Sequence, residues 1–158
     1  MVKLENIEYV DKNIKLSRLT PDKLEEFIEM HIEEIKYHAN YSRKMGIVDK
    51  FCENYSREDV MLSIQKHDSF LIEDNKSNIL GFIQYHEFNF LNKGNGVFIN
   101  TLFVKEKYRG NGIASAVLNF TSNRFDEIVL EAHYNSPATR LYETLGFIEV
   151  GKILLKAK

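Results

Sequence analysis

Apolar and polar residues alternate over Ile14-Lys15-Leu16-Ser17-Arg18-Leu19, the two-residue period of a half-buried strand. The period then lengthens. Thr20-Pro21 supplies an N-cap and a proline suited to a first turn. Leu24, Phe27, Ile28, Ile32 and Ile35 recur at helical spacing, which predicts a helix to about Tyr37 or beyond. From Tyr37 to Phe51 the chain is polar and reads as a loop or a broken helix. Ser56-Arg57-Glu58-Asp59 has the form of a capping box and opens a second helix bearing Val60, Met61 and Ile64.

Phe70-Leu71-Ile72 predicts a short strand, and Asp74 to Asn78 is turn chemistry. Ile79 to Phe90 reads as a longer strand, and Lys93-Gly94-Asn95-Gly96 as a hairpin connection into a strand over Val97–Val104. A helix follows over Ile113 to Arg124, with Ile113, Val117, Leu118 and Phe120, then an apolar strand from Ile128 to Ala132. Ser136-Pro137 opens another helix through Leu141 and Leu145, Gly146 stops it, and Phe147 to Leu155 reads as a final strand. The order β-α-α-β-β-β-α-β-α-β predicts an α/β (α+β) fold, a mixed sheet with helices packed on it. Repeats, linkers and low-complexity segments are absent, so residues 1–158 read as a single domain.

Composition narrows the function. The chain has 158 residues, 44% of them hydrophobic, enough for one ordinary core. With 21 basic and 23 acidic residues the net charge is −2, without the basic excess of a nucleic-acid surface. Cys52 is the single cysteine, so no internal disulfide forms and a reducing compartment is the simpler reading. The five histidines show no metal-ligand spacing, and no metal is expected. No run approaches the roughly 18 apolar residues of a membrane helix. The apolar residues of Val2 to Val10 are interrupted by Lys3, Glu5, Asn6 and Glu8, unlike a signal peptide. A cytoplasmic soluble protein, with neither membrane nor nucleic acid as partner, is the expectation.

The candidate chemistry lies in Tyr108-Arg109-Gly110-Asn111-Gly112-Ile113-Ala114-Ser115, between a predicted strand and a predicted helix. A strand that breaks into a glycine-rich turn and opens a helix is a phosphate-binding geometry. Glycine lets the backbone approach the ligand, the first N–H groups of a helix have no internal partner, and Arg109 adds a planar cation. The turn is not a P-loop, because no Lys-Ser/Thr follows the last glycine. It is a poor dinucleotide fingerprint, because Ser115 stands where the third glycine belongs and no opening βαβ unit precedes it. By itself the turn fits either a phosphate site or a simple tight turn.

The second half of the chain resembles the GNAT superfamily of N-acetyltransferases, which bind acetyl-coenzyme A. Arg109-Gly110-Asn111-Gly112-Ile113-Ala114 satisfies that family's Arg/Gln-x-x-Gly-x-Gly/Ala signature. Asn135-Ser136-Pro137-Ala138 and Leu141-Tyr142-Glu143-Thr144-Leu145-Gly146-Phe147 match its Asn-x-x-Ala…Leu-Tyr-x-x-x-Gly-Phe. The resemblance is specific over about Val97 to Val150. It implies a mixed, mostly antiparallel central sheet of six to seven strands flanked by about four helices. It further implies that backbone groups of Leu102, Phe103 and Val104 pair with the pantetheine arm, and that the amides of Arg109, Gly110, Asn111, Gly112, Ile113 and Ala114 hold the pyrophosphate. Asn135 would hydrogen-bond the cofactor, and Tyr142 would face the thioester sulfur as proton donor.

The implied reaction passes acetyl directly from acetyl-CoA to a primary amine of a small molecule or peptide. The proton acceptor stays open. The strand glutamate of the family's polyamine-acetylating members aligns with Asn100, which could orient a water or hold the substrate. His86 and Glu87 are alternatives that project to opposite faces, and His133 is another. Tyr37, His38 and Tyr41 fall where the family's variable acceptor loops lie. Because the strand glutamate is missing, a non-catalytic acyl-CoA sensor on the same fold is the rival reading, and a nucleotide binder is a second. Dimers are common in the family, so a homodimer is an expectation by analogy.

Overall fold

The structure, a computed structural model, describes residues 3–42, 54–91, 94–132, 136–154 and 156, with the backbone alone for 39–42. Among the described residues six strands form one sheet in chain order: β1 (Ile7–Tyr9), β2 (Ile14–Arg18), β3 (Asp68–Asp74), β4 (Ile79–Glu87), β5 (Gly96–Val104) and β6 (Glu127–Leu130). Neighbours pair antiparallel from β1 to β5, and β6 runs parallel to β5. A parallel pair needs a crossover, here a helix. Among the described residues there are four α-helices: α1 (Leu24–Ser42), α2 (Arg57–Lys66), α3 (Ile113–Arg124) and α4 (Ala138–Thr144). No helix of the described residues is long and apolar enough to cross a membrane.

The sheet is covered on both faces, and the two-residue period of its strands sorts the side chains. Leu71, Phe82 and Phe103 pack with Phe27, Ile28 and Met30 of α1 and Val60 of α2. Phe70, Ile72, Ile83 and Ile99 take the other face with Val117 and Leu118 of α3. Full burial of such side chains contributes about 1.5–3 kcal/mol each. The capping chemistry read at Ser56 forms, with the Ser56 amide donating to Asp59 Oδ2 at 2.8 Å.

Two elements differ from the pattern. The sequence pattern does not predict β1, because its alternation is inverted. Ile7 and Tyr9 are exposed while Glu8 is buried, and Glu8 accepts from Arg124 Nη2 at 2.7 Å and from the Glu5 amide at 3.0 Å. The strand predicted from Phe147 to Leu155 does not form over its described residues, 147–154. Ile148 and Leu154 are 81% and 91% exposed, so this segment has the alternation of a strand without a neighbour that buries it.

Candidate active site

The β5–β6 ladder covers only Gly96–Ile99 against Glu127–Leu130, whereas β5 continues to Val104. From Asn100 onward, the β5 edge that faced β6 therefore has no strand beside it among the described residues. Such an edge presents unpaired N–H and C=O groups that an extended, amide-bearing chain can satisfy. Leu102, Phe103 and Val104 lie on this stretch. On its other side β5 pairs Thr101 with Gln84 and then Ile99 with Tyr85, so Asn100 is the extra residue of a β-bulge. Bulges re-aim a side chain. Asn100 turns its Oδ1 to His86 Nδ1, 2.8 Å away.

The open edge leads into the glycine turn. Gly110 and Gly112 have φ of 78° and 76°, left-handed values that suit glycine. Gly112 caps α3 without a side-chain hydrogen bond. The Arg109 amide is already used, donating to Glu106 O at 3.1 Å, and Ala116 N bonds Gly112 O at 3.0 Å. Between them, among the described residues, the amides from Gly110 to Ser115 carry no hydrogen bond. Apart from the chain neighbours, no described atom comes within 4 Å of a Cβ built on either glycine. Six such donors at an open helix start, with the dipole's partial charge of ~0.5, suit a diphosphate. Asn111 steadies the bend by donating to Tyr108 O at 3.0 Å. Arg109 braces it differently from the expectation of a cation facing the ligand. Its Nε donates to Val104 O at 2.8 Å, and its guanidinium lies over the rings of Tyr37, 4.3 Å, and Phe103, 5.4 Å.

Tyr142 stands on α4, half-buried against Phe147 at a ring separation of 5.8 Å. The turn into α4 forms as the sequence suggests, with Ala138 N donating to Ser136 Oγ at 3.2 Å. Burial raises the Tyr142 phenol above its usual 10, and the Glu34 charge adds to the effect. At neutral pH the phenol therefore keeps its proton and is a donor.

Polar side chains converge beneath α1 on the Asn100 side of the sheet. Gln84 donates to Ser69 Oγ at 3.0 Å, and its Oε1 accepts from Ser63 Oγ at 3.1 Å and from His31 Nε2 at 2.9 Å. Since Oε1 can only accept, His31 carries its proton on Nε2. His31 is pulled below its usual 6.5, mainly by burial, against the raising effect of Glu34 and Gln84. Burial also lowers His67, helped by His86 and Lys66. A base with a depressed folded pKa binds fewer protons than the unfolded chain, so its stabilising effect is lost as pH falls below about 6.5. Denaturation midpoints measured from pH 7 to pH 5 should fall in the wild type. They should fall less steeply in His31→Gln; an unchanged slope would mean His31 contributes nothing to the acid sensitivity.

The structure brings Asn100 and His86 together where the open edge of β5 begins, and that edge leads on through Val104 toward the glycine turn. Glu87, opposite Val97 at the end of β4, is exposed, on the face away from His86. Asn135, His133 and Cys52 lie outside the described residues, as does the side chain of Tyr41. Sequence reasoning missed His31 and Glu34, both buried at 3% and 5% exposure. Their signal was present: three residues apart, they interrupt the apolar face of α1 defined by Phe27 and Ile28. Among the described residues no group of His, Cys, Asp and Glu is arranged to hold a metal ion. One open depression of about 420 Å³ lies beside Arg18 and Thr20, and another of about 430 Å³ is lined by Glu33 and by Lys105 to Lys107, between β5 and the glycine turn.

A half-open β5 edge runs on into a bare helix start, and comparison with known proteins shows the family of this fold. The model of the acetyltransferase (GNAT) family matches residues 27–147. The chain belongs to that family. It is 29% identical over 108 residues to the SPbeta prophage-derived uncharacterized N-acetyltransferase YokL of Bacillus subtilis (strain 168). That alignment covers 63% of this chain and 59% of YokL, less than two thirds of the relative's length. Among solved structures, YycN from Bacillus subtilis superposes with a TM-score of 0.63 at 19% identity, covering 92% of this chain and 98% of that one. Ribosomal-protein-alanine N-acetyltransferase from Brucella melitensis biovar Abortus 2308 does so with a TM-score of 0.59 at 16% identity, covering 91% and 99%. At these identities the structures share a fold with this chain.

Proposed function

We propose that this protein is an N-acetyltransferase that moves acetyl from acetyl-CoA directly to a primary amine of a small molecule or peptide. The observation that carries the reading is the continuity of the β5 edge from Asn100, which no strand of the described residues covers and whose Val104 carbonyl Arg109 holds, with the unbonded amides of Gly110 to Ser115. Bound acetyl-CoA supplies the activated acyl group as a thioester. Leu102 to Val104 offer main-chain partners to its amide-bearing arm, and the glycine turn offers donors to its diphosphate. Tyr142 donates its phenolic proton to the departing sulfur as the carbon–sulfur bond breaks and the carbon–nitrogen bond forms. The amine, with an ordinary pKa of roughly 10.4, loses a proton on the way. Asn100 cannot take that proton as a carboxylate would. Fixed by His86, it can hold the acceptor or a water that carries the proton away. Direct transfer needs no nucleophile from the chain. A cytoplasmic site of action follows as part of the same reading.

Acetyl-CoA at about 100 times its Kd should stabilise the protein by about 2.7 kcal/mol, a Tm rise of roughly 5–10 °C. Coenzyme A should compete for the site and ATP should not. With a panel of amines, acetyl-CoA should release free thiol. Binding without thiol release from any amine would mark an acyl-CoA-binding domain instead, and no Tm response at all would remove the cofactor from the reading.

A further inference from the structure

One ring at the open edge is held firmly while its basic nitrogen stays free. His86 stands half-buried on β4 beside the Asn100 bulge. Asn100 Oδ1 can only accept, so the His86 proton sits on Nδ1, 2.8 Å away, and Nε2 carries the lone pair. Nε2 has no hydrogen-bond partner among the described residues and, unlike the enclosed Nδ1 of His31, is open to solvent. Three rings fix the imidazole. Phe98 stacks on it at 5.4 Å and 20°, Phe88 meets it edge-on at 6.3 Å, and His67 lies at 5.4 Å. His67, just after α2, is the titratable group among the three. Burial, then His86 and Lys66, hold it below its usual 6.5, so at neutral pH it sets no positive charge beside His86. A locked imidazole with one nitrogen oriented by an amide oxygen and the other bare has the form of a general base.

The place suits that task. In the acetyl-transfer reading, on which this inference rests, the diphosphate lies at Gly110 to Ser115 and the amide-bearing arm runs back from Val104 to Leu102. Asn100 lies about 13 Å of strand before Val104. The acyl end of an arm laid along that edge therefore comes to the bulge, where His86 meets Asn100. Glu87, the carboxylate next to His86 in the chain, projects from the opposite face of β4.

We propose that His86 is the proton acceptor of the transfer, and that Asn100 is the positioning residue that keeps its Nε2 bare. As the carbon–nitrogen bond forms, an N–H proton of the amine passes to Nε2, directly or through one water. As the carbon–sulfur bond breaks, the sulfur takes the Tyr142 proton, and the imidazolium then returns its proton to the tyrosinate through solvent. The test has two arms. In NMR of the wild-type full chain, isotope-labelled at its histidine ring nitrogens, His86 should carry its proton on Nδ1, and its Nε2 signal should move when acetyl-CoA is added. A proton on Nε2, or an Nε2 that does not respond to acetyl-CoA that binds, overturns the inference, even where a variant fails to fold. In turnover, His86→Gln should lower kcat for ethylamine by about a hundredfold, and for trifluoroethylamine by less than about tenfold, because a less basic nitrogen sheds its proton with less help. Equal losses for the two amines would mark a structural role and overturn the part given to His86 alone. Absence of thiol release from every amine would instead overturn the acetyl-transfer reading itself.

Discussion

Tyr142→Phe is expected to lower kcat by about 10²–10³ while the affinity for acetyl-CoA changes no more than a few-fold. The substitution removes one oxygen and keeps the ring, so packing against Phe147 survives. In the proposed role, what is lost is a proton delivered to a leaving thiolate, and general acid catalysis is worth about 10²–10⁴ in rate. That corresponds to roughly 3–4 kcal/mol of barrier for the expected loss. Burial, with the charge of Glu34 behind it, holds the phenol above its usual 10. The sign matters for the pH profile. A raised pKa keeps the donor protonated throughout the neutral range, so any decline of kcat due to Tyr142 falls above pH 10. Steady-state kinetics from pH 6 to 10 decide it: a variant with wild-type kcat across that range would show that another group protonates the sulfur.

Gly112→Val should weaken acetyl-CoA binding by about a hundredfold or more. Two effects combine. A φ of 76° is left-handed backbone, which costs a residue with a Cβ about 1–2 kcal/mol. At roughly 2–4 °C per kcal/mol for a chain of this size, that is a Tm loss of about 2–8 °C. Apart from the glycine's own chain neighbours, no described atom lies within 4 Å of the new Cβ, so the side chain projects into open space at the start of α3. Gly112→Ala carries the strain common to any Cβ, and Gly112→Leu carries the same strain with more bulk and without β-branching. Titration of both separates the two causes: leucine should lose far more affinity than alanine at a similar Tm. Equal losses would mean that the turn is sensitive only through its backbone.

Helix α3 runs from Ile113 to Arg124 as its apolar spacing predicts, because a left-handed glycine fixes its start and four core residues fix its face. Strand β2 was legible for the same kind of reason, a two-residue period with Leu16 wholly buried. Strand β1 was not, because its inward residue is a glutamate whose partner, Arg124, is 116 positions away. The tail after Gly146 was overread: alternation states which face a strand would bury, and says nothing of whether a neighbour is there. The glycine turn and Tyr142 could be nominated from local spacing. The bulge at Asn100 could not, since it is a property of two strands in register. Parity along β4 set His86 and Glu87 on opposite faces, and only the packed sheet shows that His86 is the one meeting Asn100. His31 and Glu34 were hidden for a related reason. A polar residue on an apolar helix face becomes informative only when its partners, or their lack, are visible.

The most direct measurement follows the backbone amides of the full chain by NMR while acetyl-CoA is added. The amides of Gly110 to Ser115 and those of Asn100 to Val104 should shift together and saturate at one acetyl-CoA per chain, and Gly112→Val should abolish both responses. Saturable binding that leaves the amides of Gly110 to Ser115 unmoved would contradict a diphosphate seated at the start of α3.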